Sequence, residues 1–374
     1  MRINSYSDAE LKRRSDIASA LRYGSKAPKQ PGKTGTYARN IDFPHGLAPT
    51  PKPISPAPKP DDSLPHADVI AMMDTTAEAS AMADVLTPGT SYEKWYPYAK
   101  NFAKFLPLIG PDGPARESHR LGSYFVTTIG RHKVLVYKTE LHMHEDAKKM
   151  PDGSYSLPIK DALKQMIEDA KPSVFLTTGT AGGVYCSMSL GDVMVSRAAR
   201  FYCMKDFKNA PFNNKTFHSN WVVPAAHLAD AEKLMQGFAW HLTGKTDPKG
   251  KPPSAKCPCA APGYPTKIFR DGFDDIPAFH PILTTDFFEF GTSKNNLEKL
   301  GMAVEMDDAC LGLACSELAS PPRWACVRNM SDPTINGSLA EKMQGNCAEY
   351  YYKKFGYWTT VMSALTTWGI VAGL

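Results

Sequence analysis

The sequence predicts an α/β protein in which helices cover both faces of a central, largely parallel sheet, a three-layer α/β/α sandwich. Short apolar runs alternate along the chain with segments whose apolar residues recur at helical spacing. Strands that alternate with helices form βαβ units, and such units build parallel sheets. A hydrophobic content of 43% in 374 residues is enough for one large domain or two modest ones.

The predicted elements follow from this alternation. Short apolar runs predict strands at 68–73, 123–129, 133–137, 174–178, 192–195, 282–285, 302–305 and 324–328. Helices are predicted at 78–86, 159–170, 308–318 and 340–371. In the second helix the apolar residues share one face, Pro158 lies in the first turn and Ser156 is the candidate N-cap.

Two regions interrupt this pattern. Residues 1–65 form a basic, proline-rich N-terminal arm, and closely spaced prolines from position 49 onward favour an extended chain. The arm is either flexible or wraps a neighbouring subunit. The remaining domain, 66–374, carries a segment at 243–280 that is rich in Pro, Gly and Lys and is predicted to be a surface insertion.

Composition excludes several classes of function. The net charge of +5 is small and no arginine-rich patch accompanies it, so we expect no nucleic-acid partner. The N-terminus is polar, and the apolar segment 359–374 is too short to span a bilayer, which predicts a cytoplasmic protein without membrane contact. Cysteines scattered through apolar segments (Cys186, Cys310, Cys315 and Cys326) are typical of reduced, buried thiols.

Common cofactor and metal motifs are incomplete. Residues 179–182 lack a glycine of the dinucleotide fingerprint, and the Gly-Lys-Thr triplets at 32 and 244 lack the upstream glycine of a P-loop. The polar run 142–146 has no histidine pair at helical spacing, and Cys257 and Cys259 have no second pair at zinc spacing. We therefore expect neither a metal nor a cofactor.

Four motifs, taken in order, indicate a function. They are Thr178-Gly-Thr-Ala-Gly-Gly183, Gly191-Asp-Val-Met-Val-Ser196, Val304-Glu-Met-Asp307 and Arg328-Asn-Met-Ser-Asp332. Glycine lets a backbone approach a ligand closely, and acidic side chains at the ends of apolar segments can hold a polar ligand. In order and spacing they resemble the nucleoside phosphorylase and nucleosidase superfamily, in particular its 5′-methylthioadenosine/S-adenosylhomocysteine nucleosidase-like members. The resemblance covers about 68–374 without the insertion, and it implies the nucleoside phosphorylase fold and a homodimer or larger homo-oligomer.

The resemblance also implies catalytic roles. Asp332, next to Ser331, matches the aspartate that gives a proton to the purine leaving group. A protonated purine leaves far more easily than an anion, and a carboxyl group with a raised pKa suits that task. Glu78 matches the glutamate that activates water, in a loop about two residues longer than the family's. The alternative for Ser331 and Asp332 is that they cap a helix.

Substrate contacts are implied in the same way. Met306 and Asp307 match the family's Met-Glu pair that packs under the ribose and binds its hydroxyls, and Phe288 matches the aromatic residue that stacks on the purine. The other expected contacts are Thr180, Ala181, Gly182 and Glu305. In the alternative interpretations, Glu305 and Asp307 are acids at a helix N-terminus and Phe288 is a core residue.

The nucleophile is expected to be water. Phosphorylases of the superfamily carry an arginine where this chain has Thr177, and no Gly-Asp-Pro-x-Arg loop follows the first strand. The sequence therefore predicts a purine nucleosidase acting on a nucleoside or nucleotide. Two alternatives remain open: a phosphorylase that uses phosphate, Thr180 and an unrecognised cation, or a catalytically weak nucleoside or nucleotide sensor. A nucleotide substrate would need Lys138 or Lys205 near its phosphates.

Overall fold

The computed structural model of this chain describes residues 6–7, 9–14, 16, 41–185, 187–243, 266–290, 296–333 and 339–374. These residues form one mixed sheet. Its strands are β1 (Thr50–Pro51), β2 (Val69–Met73), β3 (Tyr96–Tyr98), β4 (Gly122–Ile129), β5 (His132–Thr139), β6 (Val174–Gly183), β7 (Val193–Ser196), β8 (Ala198–Phe201), β9 (Thr216–His218), β10 (Ile268–Arg270), β11 (Ile282–Thr284), β12 (Ala303–Glu305) and β13 (Arg323–Pro333).

The helices lie on both faces of this sheet. They are α1 (Thr76–Leu86), α2 (Phe102–Phe105), α3 (Pro114–Ser118), α4 (Pro158–Ala170), α5 (Leu228–Ala239), α6 (Asp308–Ser316) and α7 (Glu341–Ala372). Short 3₁₀ turns lie at Tyr92–Lys94, Leu106–Leu108, Trp240–Thr243 and Leu297–Lys299. Within the described ranges, none of the helices has both the length and the hydropathy needed to cross a bilayer.

The alternation of side chains along the central strands explains why helices pack on both faces of the sheet. Val69, Ala71 and Met73 of β2 belong to the core shared with α1, α5 and α7, whereas Ile70 and Met72 belong to the core shared with α4 and α6. Successive side chains of a strand point to opposite faces, so an apolar strand feeds both cores. The central strands β5, β2, β6 and β13 run parallel to one another. The predicted α/β/α sandwich is confirmed.

The glycine-rich end of β6 differs from the prediction. We expected a turn after Thr178, but β6 continues through Gly183, because β13 pairs with it on one side and β12 pairs with its last residues on the other. A Cβ on Gly179 would lie 2.5 Å from Glu78 Oε1. The glycine does permit a close approach, but to a side chain of the protein itself.

Strand β13 is also longer than predicted. It extends five residues past Arg328 to Pro333, with a bulge between Met330 and Asp332. Ser331 and Asp332 therefore lie in a strand and do not cap a helix. Bulges re-aim side chains and are frequent beside active sites.

Two further expectations need correction. Ser156 does not cap α4: the N-cap position is Leu157, and the Ser156 hydroxyl donates to the Leu108 carbonyl at 2.6 Å. Cys310, Cys315 and Cys326 are free and buried as expected, but Cys347 is disulfide-bonded.

The arm and the insertion are described in part. Residues 50–51 pair with β4, and 266–280 contain β10, which pairs with β7. Cys186, the pair Cys257 and Cys259, and both Gly-Lys-Thr triplets lie outside the described residues. Residues 244–265 of the predicted insertion lie outside the described residues, so for them the insertion stays a prediction.

Candidate active site

A cavity of about 590 Å³, counting its open mouth, lies where β2, β11, β12 and β13 end beside the second half of β6. Ligands of α/β sheets commonly bind outside strand ends of this kind. The predicted residues among its lining are Glu78, Thr180, Ala181, Gly182, Phe288, Glu305, Met306 and Asp332. The lining residues that the sequence did not predict are Asp74, Thr75, Thr285, Glu289, Val304, Arg328 and Tyr352.

Asp332 is a buried carboxyl group, and one of its two oxygens accepts a hydrogen bond. The Ser331 hydroxyl donates to its Oδ1 at 2.7 Å, whereas Oδ2 has no hydrogen-bond partner among the described residues. Burial raises the pKa of Asp332 from 3.8 to about 6, although the Ser331 hydrogen bond lowers it. Asp332 can therefore carry a proton near neutral pH and donate it to a bound group.

This raised pKa predicts how stability depends on pH. The folded chain holds the Asp332 proton more tightly than the unfolded chain, so stability falls as pH rises between about 4 and 6. A rise from 3.8 to about 6 corresponds to about 3 kcal/mol. We expect Asp332→Asn, which stays neutral, to gain about that much stability relative to wild type between pH 4 and pH 8, as measured by urea unfolding. If the difference in unfolding free energy between the variant and wild type were the same at pH 4 and pH 8, the pKa of Asp332 would not be raised.

Glu78 is held by four hydrogen bonds. Its Oε1 accepts from the Thr180 N–H at 2.7 Å and the Thr180 hydroxyl at 2.6 Å. Its Oε2 accepts from the backbone N–H groups of Asp74 at 3.0 Å and Thr75 at 2.8 Å, which closes a capping box at the start of α1. Burial raises the pKa of Glu78, but Arg328 and the Thr180 bonds outweigh it and lower the pKa below its ordinary value.

Arg328 anchors the acidic side of the cavity. Its Nε donates to Asp308 Oδ2 at 3.0 Å, and its Nη2 donates to Asp308 Oδ1 and, at 3.1 Å, to Asp74 Oδ2. Glu305 Oε2 lies 3.4 Å from the same nitrogen. Five carboxyl groups and a single guanidinium therefore stand in the described lining. Burial raises the pKa of Asp74 to about 7, that of Asp332 to about 6 and that of Glu305 well above its ordinary value, so only part of this acidic lining is ionised near pH 7.

Glu305, Met306 and Asp307 separate into two groups. Glu305 and Met306 line the cavity. The Glu305 carboxylate accepts hydrogen bonds from the backbone N–H groups of Asp307 at 2.6 Å and Asp308 at 3.0 Å. Asp307 faces away from the lining: the Met143 N–H donates to its Oδ1 at 2.7 Å, and His142 Nδ1 lies 3.4 Å from its Oδ2.

Asp74, His142 and Asp307 are the candidate metal donors of this site. One atom from each lies within 4.8 Å of the others. The Arg328 guanidinium on Asp74 and the protein donors on Asp307 already offset these charges.

The wall near Phe288 is covered by the N-terminal segment (6–7, 9–14 and 16). Arg14 Nη1 donates to Glu289 Oε1 at 3.0 Å and to the Phe288 carbonyl at 3.2 Å. The Tyr6 hydroxyl donates to Glu289 at 2.9 Å, and Arg14 lies 3.9 Å from the ring centres of Tyr6 and Phe290. Part of the predicted arm therefore packs against the cavity of its own chain.

Some of the unpredicted lining had a signal in the sequence. Asp74 directly follows the first predicted strand, Arg328 opens a motif in which we gave a role only to its neighbours, and Glu289 directly follows Phe288. Tyr352 lies within α7, and its hydroxyl donates to Thr75 Oγ1 at 3.3 Å. A helical position of this kind carries no local sign of a contact with α1.

No protein-family model matches this chain, and no curated protein matches it. It is similar to solved structures of nucleosidases in the superfamily that its motifs resemble. Those from Neisseria meningitidis and Helicobacter pylori, both 5′-methylthioadenosine/S-adenosylhomocysteine nucleosidases, are 14% and 12% identical with TM-scores of 0.45 and 0.46. Each match covers 82% of this chain, together with 100% of the Neisseria meningitidis protein and 99% of the Helicobacter pylori protein. The futalosine hydrolase of Helicobacter pylori is 11% identical, with 82% of this chain and 99% of that one covered and a TM-score of 0.47. Identities this low do not transfer an activity from those proteins to this chain.

Proposed function

We propose that this protein hydrolyses the N-glycosidic bond of a purine nucleoside and releases the free base and the sugar. The observation that carries the proposal is Asp332, a residue of the cavity lining whose buried carboxyl group has a raised pKa and one oxygen without a partner among the described residues. Three of the four motifs that resemble those of nucleosidases contribute residues to the same lining, which supports the assignment.

Asp332 acts as the general acid. Cleavage of the bond from C1′ to the purine leaves electrons on the base, and a proton from Asp332 Oδ2 to a purine nitrogen neutralises them as they develop. General acid catalysis of this kind contributes about 10² to 10⁴ in rate. Burial keeps bulk water from competing for that proton.

The acidic lining fits the positive charge that develops on the sugar. An N-glycosidic bond breaks through an oxocarbenium-like state, and fixed carboxylates stabilise a developing cation in a site that excludes water. The same field opposes a bound anion. Arg328, the cation of the described lining, is already occupied by Asp74 and Asp308.

Charge therefore favours a nucleoside over a nucleotide and water over phosphate. Lys138 donates to Glu140 at 2.6 Å, and Lys205 lies 3.4 Å from Asp206, so both proposed phosphate ligands have acidic partners and neither is among the described lining residues. A phosphate in this cavity would meet the ionised Glu78, and the guanidinium of the described lining is already paired, so a bound anion is disfavoured.

The remaining contacts follow from the lining. Phe288 offers a ring for stacking on the purine, and Met306 offers an apolar surface to the sugar. Thr180, Ala181 and Gly182 bring the edge of β6 against the ligand. Asp307 remains a candidate for the ribose hydroxyls only if its side chain turns towards the cavity, because it is not among the described lining residues.

A substrate panel tests the proposal. Methylthioadenosine, adenosine, inosine, AMP and ATP are incubated with the protein, with and without phosphate, and the products are separated by chromatography. We expect free base from at least one nucleoside without phosphate, and at least about 100-fold lower kcat/KM for AMP, because like charges oppose its binding. A strict phosphate requirement would identify a phosphorylase, and binding without base release would identify a sensor.

A further inference from the structure

We propose that the N-terminal segment belongs to the base-binding side of the active site, and that Arg14 is the residue that positions Phe288 there. The inference rests on the proposed function, because it concerns the wall of the cavity that would hold the purine. It starts from residues 286–290, which supply Phe288 and Glu289 to the cavity lining.

Phe288 differs from its aromatic neighbours in exposure. Phe287 and Phe290 are buried, whereas Phe288 is half-buried and lines the cavity. An aromatic ring in this position can stack on a base, because every base has a π face. A ring that is already held in place binds more tightly than a mobile one, because less conformational entropy is lost on binding.

Residues 286–290 lie outside the strands, so side chains must hold this segment in place. Backbone N–H groups at 204–207 donate to Asp286, and the Thr285 hydroxyl donates to the Phe287 carbonyl at 2.7 Å. These contacts fix the start of the segment, before Phe288.

The N-terminal segment supplies contacts to Phe288 and Glu289 themselves. Arg14 Nη1 donates to the Phe288 carbonyl at 3.2 Å and to Glu289 Oε1 at 3.0 Å, so one nitrogen joins two successive residues of the wall. The Tyr6 hydroxyl donates to Glu289 at 2.9 Å. The guanidinium lies 3.9 Å from the ring centres of Tyr6 and Phe290.

Burial makes this contact a firm anchor. The side chains of Arg14 and Glu289 are 2% and 0% exposed, so water does not compete for their bonds. The planar guanidinium holds its donors in fixed directions and also packs well between aromatic rings. Without Arg14, Glu289 would lose its cationic partner in the cavity wall, and an unpaired buried charge is strongly unfavourable. Arg14 therefore holds the backbone of Phe288 and neutralises the residue beside it.

The experiment measures the binding of base and sugar separately, with the full-length protein. Isothermal titration gives the Kd of adenine, hypoxanthine and ribose for wild type and Arg14→Met. We expect the Kd of the bound purine to rise at least about tenfold and that of ribose to change by less than about twofold, because a displaced Phe288 loses stacking with the base alone. With the best nucleoside of the panel, KM should rise while kcat changes little, because the contact is made in the ground state as well.

Two further variants separate positioning from folding. In Arg14→Ala, added guanidinium ion should occupy the vacated space beside Glu289 and restore purine binding. Lys12→Met, at an exposed position of the same segment, is the matched control that removes the same charge. If Arg14→Met does not fold, Tyr6→Phe, which loses one hydroxyl, carries the same comparison with a smaller expected rise in the Kd of the purine.

The outcomes separate the two proposals. A wild-type protein that neither releases base nor binds a purine overturns the proposed function and this inference with it. Base release by the wild type, with the same purine Kd and nucleoside KM in Arg14→Met, overturns the role of Arg14 alone. Equal weakening of purine and ribose binding would indicate a general loss of the site and would also overturn it, as would the failure of guanidinium to restore Arg14→Ala.

Discussion

Replacing Asp332 with asparagine is expected to lower kcat for base release by at least about two orders of magnitude. Asparagine has nearly the same shape, and the Ser331 hydroxyl can still donate to its side-chain oxygen, so the cavity keeps its form. The variant has no acidic proton for the purine. The loss should appear in kcat rather than in KM, because the proton transfer belongs to the transition state.

The measurement is single-turnover base release by wild type and variant with the same nucleoside. A substrate whose leaving group needs no proton, such as a nitrophenyl riboside, should be cleaved by both at similar rates. Wild-type turnover of the purine nucleoside by Asp332→Asn would refute the assignment of the acid.

Replacing Arg328 with methionine is expected to destabilise the fold by about 3–5 kcal/mol at pH 7. Arg328 is 2% exposed and contacts Asp74, Asp308 and Glu305, which are themselves buried. Methionine matches its apolar stem but leaves these carboxylates without their common cation. An unpaired buried charge costs far more than the ion pair contributes.

Urea unfolding measures the loss of stability in the Arg328→Met variant. The control is Arg131→Met, at an exposed position, whose free energy of unfolding is expected within about 0.5 kcal/mol of wild type. The loss should shrink as pH is lowered towards 5, because the uncompensated carboxylates of the folded variant then take up protons. A loss below about 1 kcal/mol at pH 7 would show that the carboxylates do not depend on Arg328.

The arrangement of the sheet could be predicted because local patterns record burial. The runs at 69–73, 133–137 and 174–178 are apolar on both faces, which only strands covered on both sides require. The short strands β8, β9 and β10 could not be predicted in the same way. Each has only three or four residues and forms where a neighbouring strand supplies its hydrogen bonds.

In the candidate site, too, local patterns predicted only part of what the structure shows. Placing Phe288, Met306 and Asp332 near one another needed only motif order, because the ends of neighbouring strands meet at one edge of a sheet. Their roles in catalysis and binding stay predictions.

The sequence by itself determined the α/β/α architecture and most of the residues that line the cavity, since periodicity and strand ends are local properties. The tertiary structure alone decided that Glu78 accepts hydrogen bonds from Thr180 as well as from the start of α1, that Asp307 faces Met143, and that Asp74 shares Arg328 with Asp308. It also decided that Arg14 reaches Glu289, 275 positions away. The physical reason is that the use of a polar atom depends on donors from distant segments, which no local pattern records.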